Sequence, residues 1–161
     1  MAEQKRRRKF SYVVIGGTFD ELHTGHKKLI RKALDVGDFV IVGLTSDQMV
    51  KSFKKHEVTG FEDRKKAFEK FLESEGAKER AQIFKINDPY GPSIADDRLE
   101  AIIVSTETAP SVMEINELRE KRGLKPLKEI VIKLVLAEDG LPISSTRMRR
   151  GEIDKEGKRI V

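Results

Sequence analysis

Tyr12–Ile15, Asp38–Leu44, Ala81–Ile86, Ala101–Val104 and Glu129–Val135 are short runs dominated by β-branched, leucine and aromatic residues. Such nearly continuous apolar runs fit strands buried on both faces rather than strands with one wet face. The connections between them have helical length. Leu29, Ile30, Ala33 and Leu34 fall at helical spacing, with Gly37 placed to close the helix. Phe61, Ala67, Phe68, Phe71 and Leu72 share one side of Phe61–Glu75, with Gly76 as its stop. Pro110–Arg122 carries proline at its start and Gly123 after its end, and Ser145–Arg150 is a short last helix before Gly151. Repeated strand–helix–strand units predict an α/β, doubly wound parallel sheet covered by helices on both faces. Ligands of such sheets bind beyond the carboxyl ends of the strands, where the strand order reverses.

With 161 residues and no linker or repeat, the chain is expected to form a single domain over residues 11–161, preceded by a basic tail at 1–10. Met1–Phe10 holds five basic residues against one acidic. The remaining 151 residues then hold 27 of the 32 basic and 26 of the 27 acidic groups. So neutral a body lacks the basic face of a nucleic-acid-binding domain, and no nucleic-acid partner is expected. No apolar run approaches membrane-spanning length, no apolar segment of the kind a signal peptide needs follows the basic start, and cysteine is absent. The expected compartment is the cytoplasm. Abundant lysine and glutamate, with two asparagines and three glutamines, point to heat-adapted composition.

The segment Gly16–Ile30, GGTFDELHTGHKKLI, follows the first strand, where chemistry is expected. A metal site, a phosphate cradle and an ordinary decorated turn all compete for it. His23 and His26 are three apart, unlike the i, i+4 pair of a zinc-protease helix. Zinc would also need a further ligand from His56 or the carboxylates, so no metal ligand is assigned. The named phosphate-loop and nucleophile-elbow motifs are missing. A phosphate cradle is nevertheless physically reasonable. A helix starting near Gly25 would offer unpaired N–H groups and its positive dipole end, Gly16 and Gly17 permit close approach, and both imidazoles could donate to one anion. Lys27 and Lys28 would sit on the first turn, unfavourably for the helix unless an anion offsets them.

GTFDELHTGH, Gly17–His26, resembles the first signature of the nucleotidyltransferase superfamily with H-x-G-H. ISSTRMR, Ile143–Arg149, resembles its I-S-S-T-x-x-R second signature. GLTSD (Gly43–Asp47), NDPYGPS (Asn87–Ser93), IVSTET (Ile103–Thr108), INELREKRGLKPL (Ile115–Leu127) and AEDGLPISSTRMRRGEID (Ala137–Asp154) are similar to the archaeal and eukaryotic type of phosphopantetheine adenylyltransferase. The likeness covers nearly everything after the first ten residues.

The resemblance implies a Rossmann-like fold and adenylyl transfer from ATP to 4′-phosphopantetheine, giving 3′-dephospho-coenzyme A and pyrophosphate. Mg2+ would enter with ATP, since no carboxylate cluster indicates a protein cage. His26 would donate to the α-phosphate in the transition state and His23 would assist on the ATP phosphates. Gly17, Thr18 and Phe19 would line the nucleotide and Glu107 would touch it, with Thr18 also near the acceptor phosphate. Ser144, Ser145, Thr146 and Arg149 would receive the β- and γ-phosphates. Lys55 and Arg64 are the chosen cations for the acceptor phosphate and its transfer, with Lys51 and Lys54 close behind. Nicotinamide-mononucleotide adenylyltransferases share the second signature but usually start G-R-F-Q-P. Cytidylyltransferases and the archaeal FAD synthetases share the first but normally carry R-T-x-G-[IV]-S-T as the second. Oligomeric state is left open.

Overall fold

The structure, a computed structural model, describes residues 8–53 and 57–160, and for Phe53, Ser145 and Thr146 the backbone alone. Most of the basic tail therefore lies outside the described residues. Five strands form one sheet: β1 (Phe10–Gly17), β2 (Gly37–Thr45), β3 (Ala81–Ile86), β4 (Ala101–Ser105) and β5 (Lys128–Ile132). All pair in parallel in the order β3-β2-β1-β4-β5, with β1 central. Val14 sits in register with Ile41 on one side and Ile102 on the other. The order reverses at β1 and β4, which places the ligand crevice beyond Gly17 and Ser105.

Two apolar cores flank the sheet. On one face Val13, Ile15, Val40 and Val42 meet Ile30 and Ala33 of α1 (Thr24–Val36) and Phe68, Phe71 and Leu72 of α3 (Phe61–Ser74). On the other, Val14, Ile41, Ile102 and Val104 meet Val112 and Ile115 of α4 (Ser111–Lys121). Each central strand buries both of its faces, which is why its sequence lacks polar alternation. Among the described residues no helix is long and apolar enough to cross a membrane.

Gly37 closes α1 as expected, its N–H donating to the Ala33 carbonyl, and with φ −115° and ψ 140° it is also the first residue of β2. A Cβ there would lie 2.6 Å from a methyl of Val13, so glycine is required by close approach rather than by backbone freedom. Gly37→Ala should therefore cost roughly 1–3 kcal/mol of overpacking, read as a lower urea midpoint; an unchanged midpoint would mean that Val13 yields freely. The last strand stops at Ile132, not at Val135. A helix that the periodicity did not announce, α2 (Asp47–Phe53), follows β2, with the Ser46 hydroxyl accepting from the Met49 N–H at 3.1 Å as its cap. The last helix, α5 (Ser145–Arg149), ends one residue before the expected position, and Gly123 closes α4 at φ +74°, as anticipated.

Candidate active site

The link between β1 and α1 is strained. Phe19 has φ 50°, Glu21 φ 62° and Leu22 φ 22°, three left-handed non-glycine residues in a row of four. Each such residue costs on the order of 1–3 kcal/mol and persists only when its surroundings enforce it. The enforcing contacts are visible. The Phe19 ring is buried edge-on against Phe68 at 5.0 Å and His26 at 5.3 Å. Asp20, 4% exposed, accepts from the Thr59 N–H at 3.2 Å through one carboxylate oxygen. Its other oxygen takes the Arg149 guanidinium, at 3.2 Å from Nε and 2.5 Å from Nη2. Burial raises the Asp20 pKa, but the bonds from Arg149 and Thr59 outweigh it and hold the carboxyl below its ordinary value. An ion pair thus joins GTFD to ISSTRMR across 129 positions of sequence.

The H-x-G-H segment closes on itself as a capping box made of imidazoles. His23 is the N-cap of α1: its Nδ1 accepts from the N–H groups of Gly25 (3.0 Å) and His26 (3.3 Å). His26 returns the favour, its Nδ1 accepting from the His23 N–H at 3.2 Å. The rings stack at 3.7 Å, 15° from parallel. With Nδ1 an acceptor in both, each neutral ring carries its proton on Nε2. The intervening glycine is part of the same device, since a Cβ on Gly25 would come within 2.9 Å of the His23 ring.

This geometry corrects one expectation. The first N–H groups of α1 are not open to a ligand: Thr24 donates to the Lys155 carbonyl at 3.0 Å, Gly25 and His26 to His23 Nδ1, and Lys27 to the His23 carbonyl at 3.1 Å. The first turn of α1 therefore offers no open backbone nest. Lys27 and Lys28 likewise have protein partners, the Phe71 ring (5.6 Å) and the Lys133 carbonyl (3.1 Å).

Residues 14–151 match the cytidylyltransferase-like family. The chain is 48% identical over 147 residues to the phosphopantetheine adenylyltransferase of Methanopyrus kandleri, covering 91% of this chain and 93% of that one. It is 46% identical to the enzyme of the same name from Thermococcus gammatolerans, covering 94% and 95%. The chain belongs to the phosphopantetheine adenylyltransferases, within the cytidylyltransferase-like family. Among solved structures, an Archaeoglobus fulgidus protein of unknown function superposes with a TM-score of 0.68 at 33% identity, over 75% of this chain and 88% of that one. A tyrosyl-tRNA synthetase of the same organism, at 13% identity and a TM-score of 0.59 over 87% and 60%, shares the fold alone.

The remaining family positions are distributed unevenly about this centre. Thr18 lies at the end of β1, its hydroxyl accepting from the Thr45 hydroxyl at 3.1 Å. Gly17 precedes it, and a Cβ there would press on the Phe19 ring at 3.3 Å. Arg64 is 2% exposed and committed to the protein. It donates to the Thr59 carbonyl (2.7 Å), the Thr18 carbonyl (3.0 Å), the Thr45 hydroxyl (3.4 Å) and Asp47 (3.3 Å). It braces the loop that carries Thr18 instead of projecting a free cation. Ser144 caps α5, its hydroxyl accepting from the Arg147 N–H at 3.2 Å. Ser145 and Thr146 open that helix. Glu107 is exposed in the turn after β4, and Lys51 lies exposed on the last turn of α2. Lys54, Lys55 and His56 lie outside the described residues. Asn116 and Arg119 are structural: the Asn116 amide pairs with both backbone groups of Leu127, and buried Arg119 holds the carbonyls of Ser93, Asp96 and Lys125. Among the described residues no cluster of three or more histidines and carboxylates could hold a metal ion.

Sequence reasoning gave no role to Asp20, Thr45, Asp47 or Thr59, which tie these parts together. Asp20 lay inside a quoted motif; a carboxylate beside Glu21 in a motif otherwise built to hold anions was the available signal. The others carry none.

Burial drives the His23 imidazole down to about 4 from 6.5, although its own backbone contact and Asp20 pull the other way. It is neutral at physiological pH and adds no charge to the site. The unfolded chain binds a proton there that the folded chain resists. Stability should therefore be complete above about pH 6.5 and fall as pH drops toward 4, by up to about 3 kcal/mol. In His23→Asn, which keeps a capping acceptor but cannot titrate, urea midpoints between pH 4 and 6.5 should fall less steeply. Equal slopes in both proteins would assign the effect elsewhere.

Proposed function

We infer that this chain transfers the adenylyl group of ATP to 4′-phosphopantetheine, releasing pyrophosphate and forming 3′-dephospho-coenzyme A. The observation that carries the reading is the pair of signatures at the carboxyl end of β1, joined by Asp20 and Arg149, in a chain alike over nine-tenths of its length to enzymes of that name. An acceptor phosphate oxygen attacks the α-phosphorus of ATP. The bond from that phosphorus to the bridging oxygen breaks, and pyrophosphate leaves with the electron pair. The attacking phosphate is already anionic, so no strong base is needed, and catalysis rests on positioning and charge stabilisation. That requirement suits a site built around the stacked imidazoles of His23 and His26.

His26 donates from Nε2 to the α-phosphate as negative charge builds. His23 acts through it, fixing ring orientation and tautomer. Thr18 and the Gly17 backbone border the nucleotide, with Phe19 as the buried support of His26. Arg149 and the Ser144–Thr146 cap region meet the β- and γ-phosphates, Glu107 lies beside the nucleotide, and Arg64 holds the Thr18 carbonyl. Lys51, Lys54 and Lys55 supply positive charge for the acceptor phosphate. Mg2+ would enter with the ATP substrate, where it would supply positive charge for the leaving pyrophosphate. The protein acts in the cytoplasm, on small molecules and with no nucleic acid.

Pyrophosphate release from ATP and magnesium, compared with 4′-phosphopantetheine, nicotinamide mononucleotide or FMN as acceptor, tests the reading. Release with phosphopantetheine alone is expected; release with either rival and not with phosphopantetheine overturns it.

A further inference from the structure

The first-turn N–H groups of α1 differ in one respect: three are closed by atoms of His23, whereas that of Thr24 is closed from 131 residues away. The Lys155 carbonyl accepts both the Thr24 N–H, at 3.0 Å, and the Thr24 hydroxyl, at 2.9 Å. We propose that Thr24 and the turn at Asp154–Lys158 form a clamp that positions His26, acting through the first turn of α1 and not on substrate.

The turn is built to present that carbonyl. The Asp154 carboxylate accepts from the N–H groups of Glu156 and Lys158, both at 2.9 Å, and the Asp154 N–H donates to the Lys158 carbonyl at 2.9 Å. Its base is anchored in the third apolar cluster of the protein, where Ile153 is fully buried against Ala137 and Ile143. Gly157, at φ +83°, lies so close that a Cβ would sit 2.8 Å from Ile143 and 2.9 Å from Ala137. Ile143 immediately precedes Ser144, the cap of the helix that carries Arg149. One small cluster therefore fixes both grips that the end of the chain has on the first signature: Lys155 on Thr24, and Arg149 on Asp20.

The consequence is mechanical. Helix ends fray unless their groups are held, and the cap on α1 is unusual in that its two side chains are themselves site residues. If the turn at Thr24 opens, the alignment of His23 Nδ1 with the Gly25 and His26 N–H groups goes with it, and the His26 ring loses the bond that sets its proton on Nε2. Displacements of an ångström in such a donor cost up to about a hundredfold in rate.

Thr24 occupies the first helical position, where proline is tolerated because no intrahelical partner is lost, and His23 is extended at φ −85° and ψ 177°, as a residue before proline prefers. Thr24→Pro thus removes both donors to Lys155 with little cost to the helix, while Thr24→Ser keeps both. Asp154→Ala loosens the turn from the other side. The proposal rests on the reading of His26 as donor in adenylyl transfer, so two measurements are made on the full-length chain. Backbone hydrogen exchange needs no substrate: Thr24→Pro and Asp154→Ala should speed exchange at Gly25, His26 and Lys27 and leave β1 and β2 unchanged, and Thr24→Ser should match wild type. In turnover with phosphopantetheine, the first two should lower kcat on the order of tenfold with KM for ATP within about twofold, and Thr24→Ser should restore it. Unchanged exchange in Thr24→Pro overturns the clamp, and so does faster exchange with unchanged kcat, or Thr24→Ser behaving like Thr24→Pro. If Asp154→Ala fails to fold, the two Thr24 variants decide. Absence of turnover in wild type would strike the adenylyl-transfer reading, while the exchange data would still judge the clamp.

Discussion

His26→Ala is expected to lower kcat by roughly 10²- to 10³-fold while KM for ATP changes only a few-fold, the behaviour of a donor whose bond strengthens as charge develops. The ring is held by three independent contacts: the His23 N–H on Nδ1, the stacked His23 imidazole and the edge of Phe19. Such a ring loses little freedom when substrate binds, so its contribution appears in the transition state and not in ground-state affinity. The same substitution removes the acceptor for the His23 N–H, worth about 0.5–2 kcal/mol by analogy with other cap losses. A modest fall in Tm therefore accompanies the effect without accounting for it. Turnover within a few-fold of wild type, in a protein that still folds, would remove His26 from the role of stabiliser.

That the two histidines share the start of a helix was legible in the sequence; that they cap it was not. H-x-G-H signals chemistry by composition, and the natural reading is a pair of donors around an open helix end. The folded chain spends both Nδ1 atoms on the helix end itself, and Gly25 is there to let one ring lie over the backbone. No spacing rule distinguishes an imidazole that caps from one that projects, because both need the same i, i+3 placement.

The sheet was readable for a different reason. Valine and isoleucine in β1, β2 and β4 are buried on both faces, and that leaves an unmistakable run of apolar residues. α2 escaped because a seven-residue surface helix, here with Val50 buried, is too short to show a periodicity to count. Arg64 illustrates the converse. An arginine at the start of a helix in a loop full of lysines looks like a phosphate ligand, yet its neighbours in space, Thr18, Thr45, Asp47 and Thr59, come from three separate stretches and enclose it. Nothing local announces that enclosure.

The other large effect is expected at the junction of the two signatures. Arg149 gives Nε and Nη2 to Asp20 and lies 3.4 Å from a Glu21 oxygen, which leaves its Nη1 amino group for the triphosphate in the proposed complex. One planar group then bonds a buried carboxylate and a phosphate at once, a geometry specific to guanidinium. Arg149→Lys keeps the charge, so Asp20 is not left bare and the cost of an unpaired buried carboxylate, about 3–5 kcal/mol when a partner is deleted outright, is mostly avoided. The ammonium must choose between its two anions, however, and the left-handed turn at Phe19–Leu22 loses its fixed tether. We expect kcat/KM for ATP to fall by roughly 10- to 100-fold, about 1.4–2.8 kcal/mol of transition-state binding, with Tm lowered by only a few degrees. Arg150→Lys, in the turn just after that helix, is the control: its side chain is 71% exposed and the Glu152 carboxylate is 4.0 Å away, so the substitution should be nearly silent. Equal and small effects of the two substitutions would mean that the Asp20–Arg149 pair only fastens the chain end, and that the triphosphate is gripped elsewhere.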